Sequence, residues 1–333
     1  MSERRLSVGY ILSQEQFPSA DLLDLGVEAE AAGFDAVWVS DHFHPWQDNQ
    51  GHAGHAWVTL AALTQRTRRI EMGTGVTCPT YRFRPADVAH AFASLSGLAP
   101  GRIFLGVGTG EALNEIPSGG GWGPYAERAA RLEEAVALIR RLWNEDWVSS
   151  EGPYYPLTNA NLYDKPPAPT PIYIAGAGPK SASLAGRAGD GWITGDGPLL
   201  RPERRASLDA FLAGWNGPGA RRPAPPILVE QYTVVGDAAD AADAARFWQF
   251  MPVARDLLTE PDPRAIQRHA EKHTTPQEAA GRMLVSPDPA DHIQRLRALE
   301  AAGATHVFLH APQLDQRRVI AFYGSSVLPA LAA

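Results

Sequence analysis

The sequence predicts a (β/α)8 TIM barrel, a single domain over residues 1–333 with insertions at the C-terminal face of the strands. Short β-branched runs alternate with amphipathic helical stretches, the order that builds a parallel sheet with helical crossovers. Eight such runs can be counted. Polar side chains crowd the residues directly after several of them, where an α/β barrel keeps its site. A doubly wound sheet shares the alternation, and the count of eight favours closure.

Residues 6–12 form the first expected strand. Ser19 then reads as an N-cap before a helix over 21–32, which Gly33 stops. Residues 36–40 give the second strand, 56–64 a helix and 70–77 the third strand. A helix over 85–98 carries Pro in its first turn. The fourth strand is 102–107, followed by a long helix over 125–143. Residues 147–157 suggest a small hairpin. Strands follow at 171–175, 191–194 and 227–235, with helices at 180–187 and 238–250. The last strand is 306–310, and the last helix is 316–331. Two Pro- and Arg-rich stretches, 215–226 and 251–276, read as long connections or a lid at one end of the barrel.

Composition narrows the function. The chain is 44% hydrophobic, enough for a large core, and carries a formal net charge of −7. Nucleic acid and anionic membranes select basic surfaces, so neither is an expected partner. Cys78 is the single cysteine, which excludes an intrachain disulfide and a Cys-based metal site. The first apolar run is too short to span a bilayer and lacks a small-residue cleavage site after it, so a cytoplasmic protein is expected.

Glu15 and Gln16 follow the first strand; Asp41, His42, His44 and Trp46 the second; Thr77, Cys78 and Thr80 the third; Thr109, Glu111 and Asn114 the fourth. Asp41-His42 is the sharpest signal. An imidazole beside a carboxylate at a strand end can accept a proton from a bound hydroxyl near neutral pH; the competing reading is a capping Asp and a satisfied loop His. His42-x-His44, with His52 and His55, invites a metal, but such sites also want ligands from distant strands, and His310 is the one late histidine at a strand end, with no acid directly after it. Gly106-x-Gly108-Thr-Gly110-Glu111 resembles a nucleotide fingerprint that lacks a following helix. It reads instead as a strand end where backbone approaches a flat ligand. Gly176-Ala-Gly-Pro-Lys180 precedes a helix, where backbone N–H groups suit a phosphate or serve an ordinary tight turn.

Taken together these segments resemble the luciferase-like superfamily of flavin and deazaflavin barrels, within it the branch of coenzyme F420-dependent glucose-6-phosphate dehydrogenases. The resemblance rests on Ser13-Gln-Glu-Gln-Phe17, Ser40-Asp-His-Phe-His-Pro-Trp46, Phe104-Leu-Gly-Val-Gly-Thr-Gly-Glu-Ala-Leu-Asn114, Ala185-Gly-Arg-Ala-Gly-Asp-Gly191, His310-Ala-Pro and Asp315-Gln-Arg-Arg318, and so spans nearly the whole chain. It implies His42 as the base that takes a substrate hydroxyl proton while hydride goes to C5 of the deazaflavin. Glu111 would protonate or stabilise the reduced ring, Trp46 would pack at the reacting centre, and Glu15 would line the substrate pocket. Asp41, Cys78 and Asn114 would contact the coenzyme, over a non-prolyl cis peptide at Gly75-Val76. Ala177 and Gly178 would offer backbone to its phosphate, and Thr194 and Arg282 would touch substrate. Cys78 stands where the family commonly has threonine, and a thiol donates more weakly than a hydroxyl.

The family also suggests a homodimer. Sugar-phosphate members hold the phosphate with basic side chains, of which Arg282 is retained, while Pro198 and about Leu257 occupy the two lysine positions. An unphosphorylated alcohol, sugar or lactol is therefore the expected substrate rather than glucose 6-phosphate. The competing functions are a reductase running hydride the other way, onto an activated double bond, an FMN-dependent monooxygenase, and a metal hydrolase.

Overall fold

A computed structural model describes residues 6–217 and 223–332. The expectations for the N-terminal five residues and for the middle of the 215–226 connection lie outside the described residues. The strands are β1 (Ser7–Leu12), β2 (Ala36–Val39), β3 (Glu71–Thr74), β4 (Ile103–Val107), β5 (Val148–Ser150), β6 (Leu157–Ala160), β7 (Ile172–Ala175), β8 (Gly191–Gly195), β9 (Ile227–Val235), β10 (Leu284–Ser286) and β11 (His306–His310). Eight of them close into a parallel barrel in the order β1, β2, β3, β4, β7, β8, β9, β11 and back to β1. β5 and β6 make the expected antiparallel hairpin. β10 is an unexpected addition, pairing with the end of β9.

The barrel interior holds Ile11, Ala36, Trp38, Phe104, Ile193, Leu228 and Phe308. Trp38 and Phe308 stack at 4.2 Å. Glycines make room for these large side chains. A Cβ on Gly9 would stand 2.4 Å from Phe308, and one on Gly73 would stand 2.3 Å from Phe104. Large and small residues thus alternate between neighbouring strands, as a filled barrel requires. The outer faces of the same strands pack on the surrounding helices through Tyr10, Leu12, Val37, Leu105, Trp192 and Leu309, each essentially inaccessible to solvent.

Several expectations change. The helix Ser19–Ala32 is capped at Pro18, and Ser19 Oγ donates to Gln14 Oε1 at 3.0 Å instead of capping. The stretch 238–250 is helical only over Ala238–Ala245 and then tightens to a 3-10 turn, Arg246–Trp248. Trp248 and Phe250 are both buried. Residues two apart do not share a helix face, so a continued α-helix would expose one of them. The 251–276 connection is largely helical: a 3-10 segment Met251–Leu257, then Pro263–His273, with Pro276–Ala280 after it. The Asp262 cap and the Thr275–Glu278 capping box start its two helices. Helices Arg205–Trp215 and Pro289–Ala301 were also not anticipated. The C-terminal helix is interrupted by a π turn, Tyr323–Val327.

Candidate active site

Residues from all eight barrel strands or the loops after them meet around a cavity of ≈ 500 Å³ at the C-terminal mouth of the barrel. Glu15, Asp41, His42, Trp46, Gly75, Val76, Cys78, Glu111, Asn114 and Ala177, all singled out in the sequence, line it. The order of the strands fixes their order around the rim, so residues distant in sequence become neighbours.

His42 is the centre. Its Nδ1 lies 3.2 Å from the His44 carbonyl oxygen, an acceptor, and 3.2 Å from Asn114 Nδ2, a donor, so this nitrogen has a partner in either tautomer. Nε2 is 3.3 Å from Glu15 Oε1 and 3.8 Å from Glu111 Oε2. Glu15 is buried; Ser13 Oγ donates to its Oε2 at 3.0 Å, and Ser40 Oγ donates to the same oxygen. Burial alone would raise the Glu15 pKa, but His42, the Ser40 hydroxyl and His310 outweigh it and hold the carboxyl below its usual range. Glu111 goes the other way: enclosure by the mouth raises it, and Glu15 and Glu230 add to the rise against the pull of His42 and Arg82. Two carboxylates thus flank one imidazole, one tuned to stay ionised and one to hold a proton more readily.

Asn114 ties the site together. Its Oδ1 accepts from the backbone N–H groups of Phe43 and His44, and its Nδ2 donates to Glu111 Oε2 at 2.9 Å. A one-turn helix, Ala112–Glu115, starts directly after Glu111, so the glycine-rich strand end does open a helix, contrary to expectation. His44 Nδ1 faces the Pro261 carbonyl at 3.3 Å and braces the loop. Among the described residues no group of three or more His, Cys, Asp or Glu is arranged to hold a metal.

The floor and the wall differ in chemistry. The Gly75–Val76 peptide is cis and lies at the floor beside Cys78. Burial pushes the Cys78 thiol up, so it stays protonated. The wall is apolar: Trp46 stacks on Phe250 at 4.7 Å, with Trp248, Met251 and Ala254 beside them. Met251 and Ala254 come from the stretch that had read as a plain connection, Trp248 and Phe250 from the end of the expected helix, and no sequence signal marked any of them as lining a site. Glu230 and Tyr232 of β9 were missed as well. Glu230 Oε1 is 2.7 Å from His310 Nδ1, and Tyr232 stacks on the His310 ring at 4.3 Å.

Not every expected residue reaches this cavity. Thr194 and Arg282 line an adjoining cavity of ≈ 200 Å³, which shares Ala177, Glu230, Tyr232 and Met251 with the first. Pro198 lines it too, and so do Arg201 and Arg204. Leu257 does not; it is buried in the core of the insertion. The expected loss of cations is therefore offset by two arginines that no sequence motif marked. Gly178 borders neither cavity. Its N–H donates to Ser181 Oγ at 3.3 Å at the start of the helix Pro179–Ala188, and a Cβ there would meet nothing within 4 Å.

Beneath the floor lies Glu115, fully buried. Burial raises its pKa to about 7, with Arg82 opposing and Glu111 and Asp41 adding to the rise. The folded chain therefore binds this proton more tightly than the unfolded chain. Between the ordinary carboxyl range and pH 7 the unfolded state ionises first, so stability falls as pH rises through that window. The shift corresponds to about 3 kcal/mol. Glu115→Gln, which cannot ionise, should gain stability relative to wild type by roughly that amount between pH 4.5 and pH 8. Urea unfolding at the two pH values measures it, and a difference independent of pH would refute the assignment.

A family model described as luciferase-like monooxygenase matches residues 7–306. The F420-dependent hydroxymycolic acid dehydrogenase of Mycobacterium tuberculosis is 46% identical over 325 residues, covering 97% of this chain and 88% of that protein. The F420-dependent glucose-6-phosphate dehydrogenase of Nakamurella multipartita is 41% identical over 335 residues, covering 100% of this chain and 98% of that protein. Among solved structures, an F420-dependent secondary alcohol dehydrogenase in complex with an F420-acetone adduct superposes with a TM-score of 0.91 at 32% identity, covering 98% of this chain and 99% of that one.

Proposed function

The chain belongs to the luciferase-like monooxygenase family, and on that premise we propose that it is an F420-dependent dehydrogenase acting on a CH–OH group. The observation that carries this reading is His42 Nε2, held between two carboxylates at a cavity whose lining includes Gly75 and Val76. The cavity volume lies in the range of small-molecule sites. Glycine at Gly75 and Gly108 keeps the floor low: a Cβ on Gly75 would meet Trp38 at 2.7 Å, and one on Gly108 would meet Val76 at 2.8 Å. These residues fit a planar deazaflavin.

When bound, the deazaflavin supplies the hydride acceptor, C5. Asp41, Gly75, Val76, Cys78 and Asn114 would hold its ring and the backbone of Ala177 would face its phosphate, whereas the Gly178 N–H is already engaged by Ser181. His42 Nε2 takes the hydroxyl proton as the carbinol carbon loses hydride. Glu15 stays ionised and balances the imidazolium charge. Glu111, whose carboxyl is pushed up by burial, would face the ring to protonate or stabilise its reduced form, and Trp46 would keep water from the reacting carbon. Thr194 and Arg282 touch the far end of the substrate. The working unit is one domain in a cytoplasmic homodimer.

A screen of alcohols, sugars and lactols that follows bleaching of the oxidised deazaflavin absorbance tests the reading. Turnover that persists under strong chelation is expected, since no metal takes part. Turnover with FMN and oxygen but not with F420 would sink it, and oxidation of F420H2 by an activated double bond would reverse the physiological direction.

The three arginines around the adjoining cavity favour a second reading, an alcohol that also carries an anionic group. Glucose and glucose 6-phosphate, compared in one assay, separate the two. The expected result is no advantage for the phosphate ester. If the arginines do bind its phosphate, the ester should show a higher kcat/KM that declines with added salt.

A further inference from the structure

Asp41 borders the coenzyme cavity, yet both of its carboxylate oxygens are already engaged. Thr77 Oγ1 donates to Oδ2 at 2.5 Å, and Arg82 Nη2 donates to Oδ1 at 2.5 Å. The same Nη2 reaches the Asp41 carbonyl at 3.2 Å. Trp57 Nε1 donates to Thr77 Oγ1 at 3.0 Å, so that side of Asp41 is anchored from the helix Ala56–Arg66. The Arg82 side is less complete. Arg82 Nε is buried and has no partner among the described residues.

Glu115 sits next to it with the complementary gap. Its Oε2 accepts from the Arg82 backbone N–H at 2.6 Å, while Oε1 is buried and unpartnered. Thr80 Oγ1 is unpartnered too, and a Cβ on Gly110 would stand 2.9 Å from Glu115 Oε1 and 3.1 Å from Thr80 Oγ1. A spare donor and a spare acceptor therefore belong to two residues already joined through the backbone. The charged and titratable groups facing Glu115 are Arg82 and Cys78 from the loop after β3, Asp41 from β2, Glu111 from its own turn and Arg128 from the helix Tyr125–Asn144. With Glu115 protonated, two guanidiniums face two carboxylates. Ionised Glu115 adds a further negative charge in a buried place, where Thr80 Oγ1 and Arg82 Nε are both donors without a partner among the described residues.

We infer that Glu115 is a positioning residue for the coenzyme: protonated, it leaves Arg82 to hold Asp41 at the cavity, and ionised, it draws Arg82 away and loosens Asp41. The inference rests on the reading that Asp41 faces the deazaflavin. Coenzyme affinity then weakens as pH rises through neutrality, with the change carried by Arg82.

The test is a titration of the full-length protein with coenzyme F420, followed by fluorescence between pH 5.5 and pH 8.5. Wild type, Glu115→Gln and Arg82→Lys are compared as slopes, because any titration of the coenzyme itself is common to all three. Wild-type affinity should fall about tenfold more than that of Glu115→Gln across the range. Glu115→Gln should bind at pH 8 as wild type does at pH 6. Arg82→Lys, which lacks Nε, should bind more weakly and with the flatter slope. In parallel, infrared difference spectra without coenzyme should show a protonated carboxyl band that titrates in wild type and is missing in Glu115→Gln. Parallel slopes for wild type and Glu115→Gln would overturn the role of Glu115. No F420 binding at any pH would overturn the proposed function itself, and the infrared band would still report whether Glu115 holds its proton.

Discussion

Replacing His42 with Ala should leave coenzyme binding close to wild type and lower kcat by about 10²–10⁴-fold, the usual weight of a positioned general base. The asymmetry follows from the geometry. His42 Nε2 lies between Glu15 and Glu111 at the cavity, whereas the cavity floor is built by other residues, Gly75, Val76 and Cys78. The loss should be deepest at low pH and partly relieved at high pH, where hydroxide or an ionised alcohol can substitute for the base. Turnover and coenzyme titration on the same preparation decide it. A variant that turns over within a fewfold of wild type would remove His42 from the chemistry.

Gly106→Ala should destabilise the protein by about 3 kcal/mol, the upper range for overpacking a core. Gly106 lies in β4, and a Cβ there would stand 2.0 Å from the Thr74 carbonyl oxygen and 3.0 Å from Ile193 Cδ1. The first of these is backbone in the neighbouring strand and cannot swing aside as a side chain would. The Gly106 carbonyl itself accepts from Thr77 N–H at 2.9 Å and Thr74 Oγ1 at 3.0 Å, so relief by shifting the strand would break both bonds. Gly97→Ala is the control. Gly97 lies in the helix Pro85–Leu98 with nothing within 4 Å of an added Cβ, and alanine there should stabilise by roughly 0.5–1 kcal/mol. Denaturant midpoints compare the two, and a Gly106→Ala protein as stable as wild type would contradict the close strand approach.

The barrel was legible because its strands are short β-branched runs punctuated by Gly and Asp, and because each strand end carries its polar residues in sequence order. That logic reached His42, Glu111 and Asn114 directly. It failed where function comes from packing instead of pattern. Trp248 and Phe250 read as an extension of the preceding helix, since the sequence shows aromatic residues but not the turn that buries both of them. Arg82 carried no signal as a surface-type residue between Tyr81 and Phe83; only the fold reveals that it is sealed against Asp41. Arg201 and Arg204 were obscured for another reason. A phosphate-binding cation can arrive from any element that reaches the cavity, so matching positions along a sequence undercounts it.

The floor residues Asp41 to Asn114 come from β2, β3 and β4, while the apolar wall Trp248 to Ala254 lies in one insertion between β9 and β10. Most of the floor and most of the apolar wall are thus written in separate stretches of the gene. The wall behaves as a cassette: exchanging it for that of a relative would carry a new substrate preference onto an unaltered hydride-transfer machine. Lineages of this barrel can diversify their ligand preference by rewriting this one insertion while selection holds the rest still.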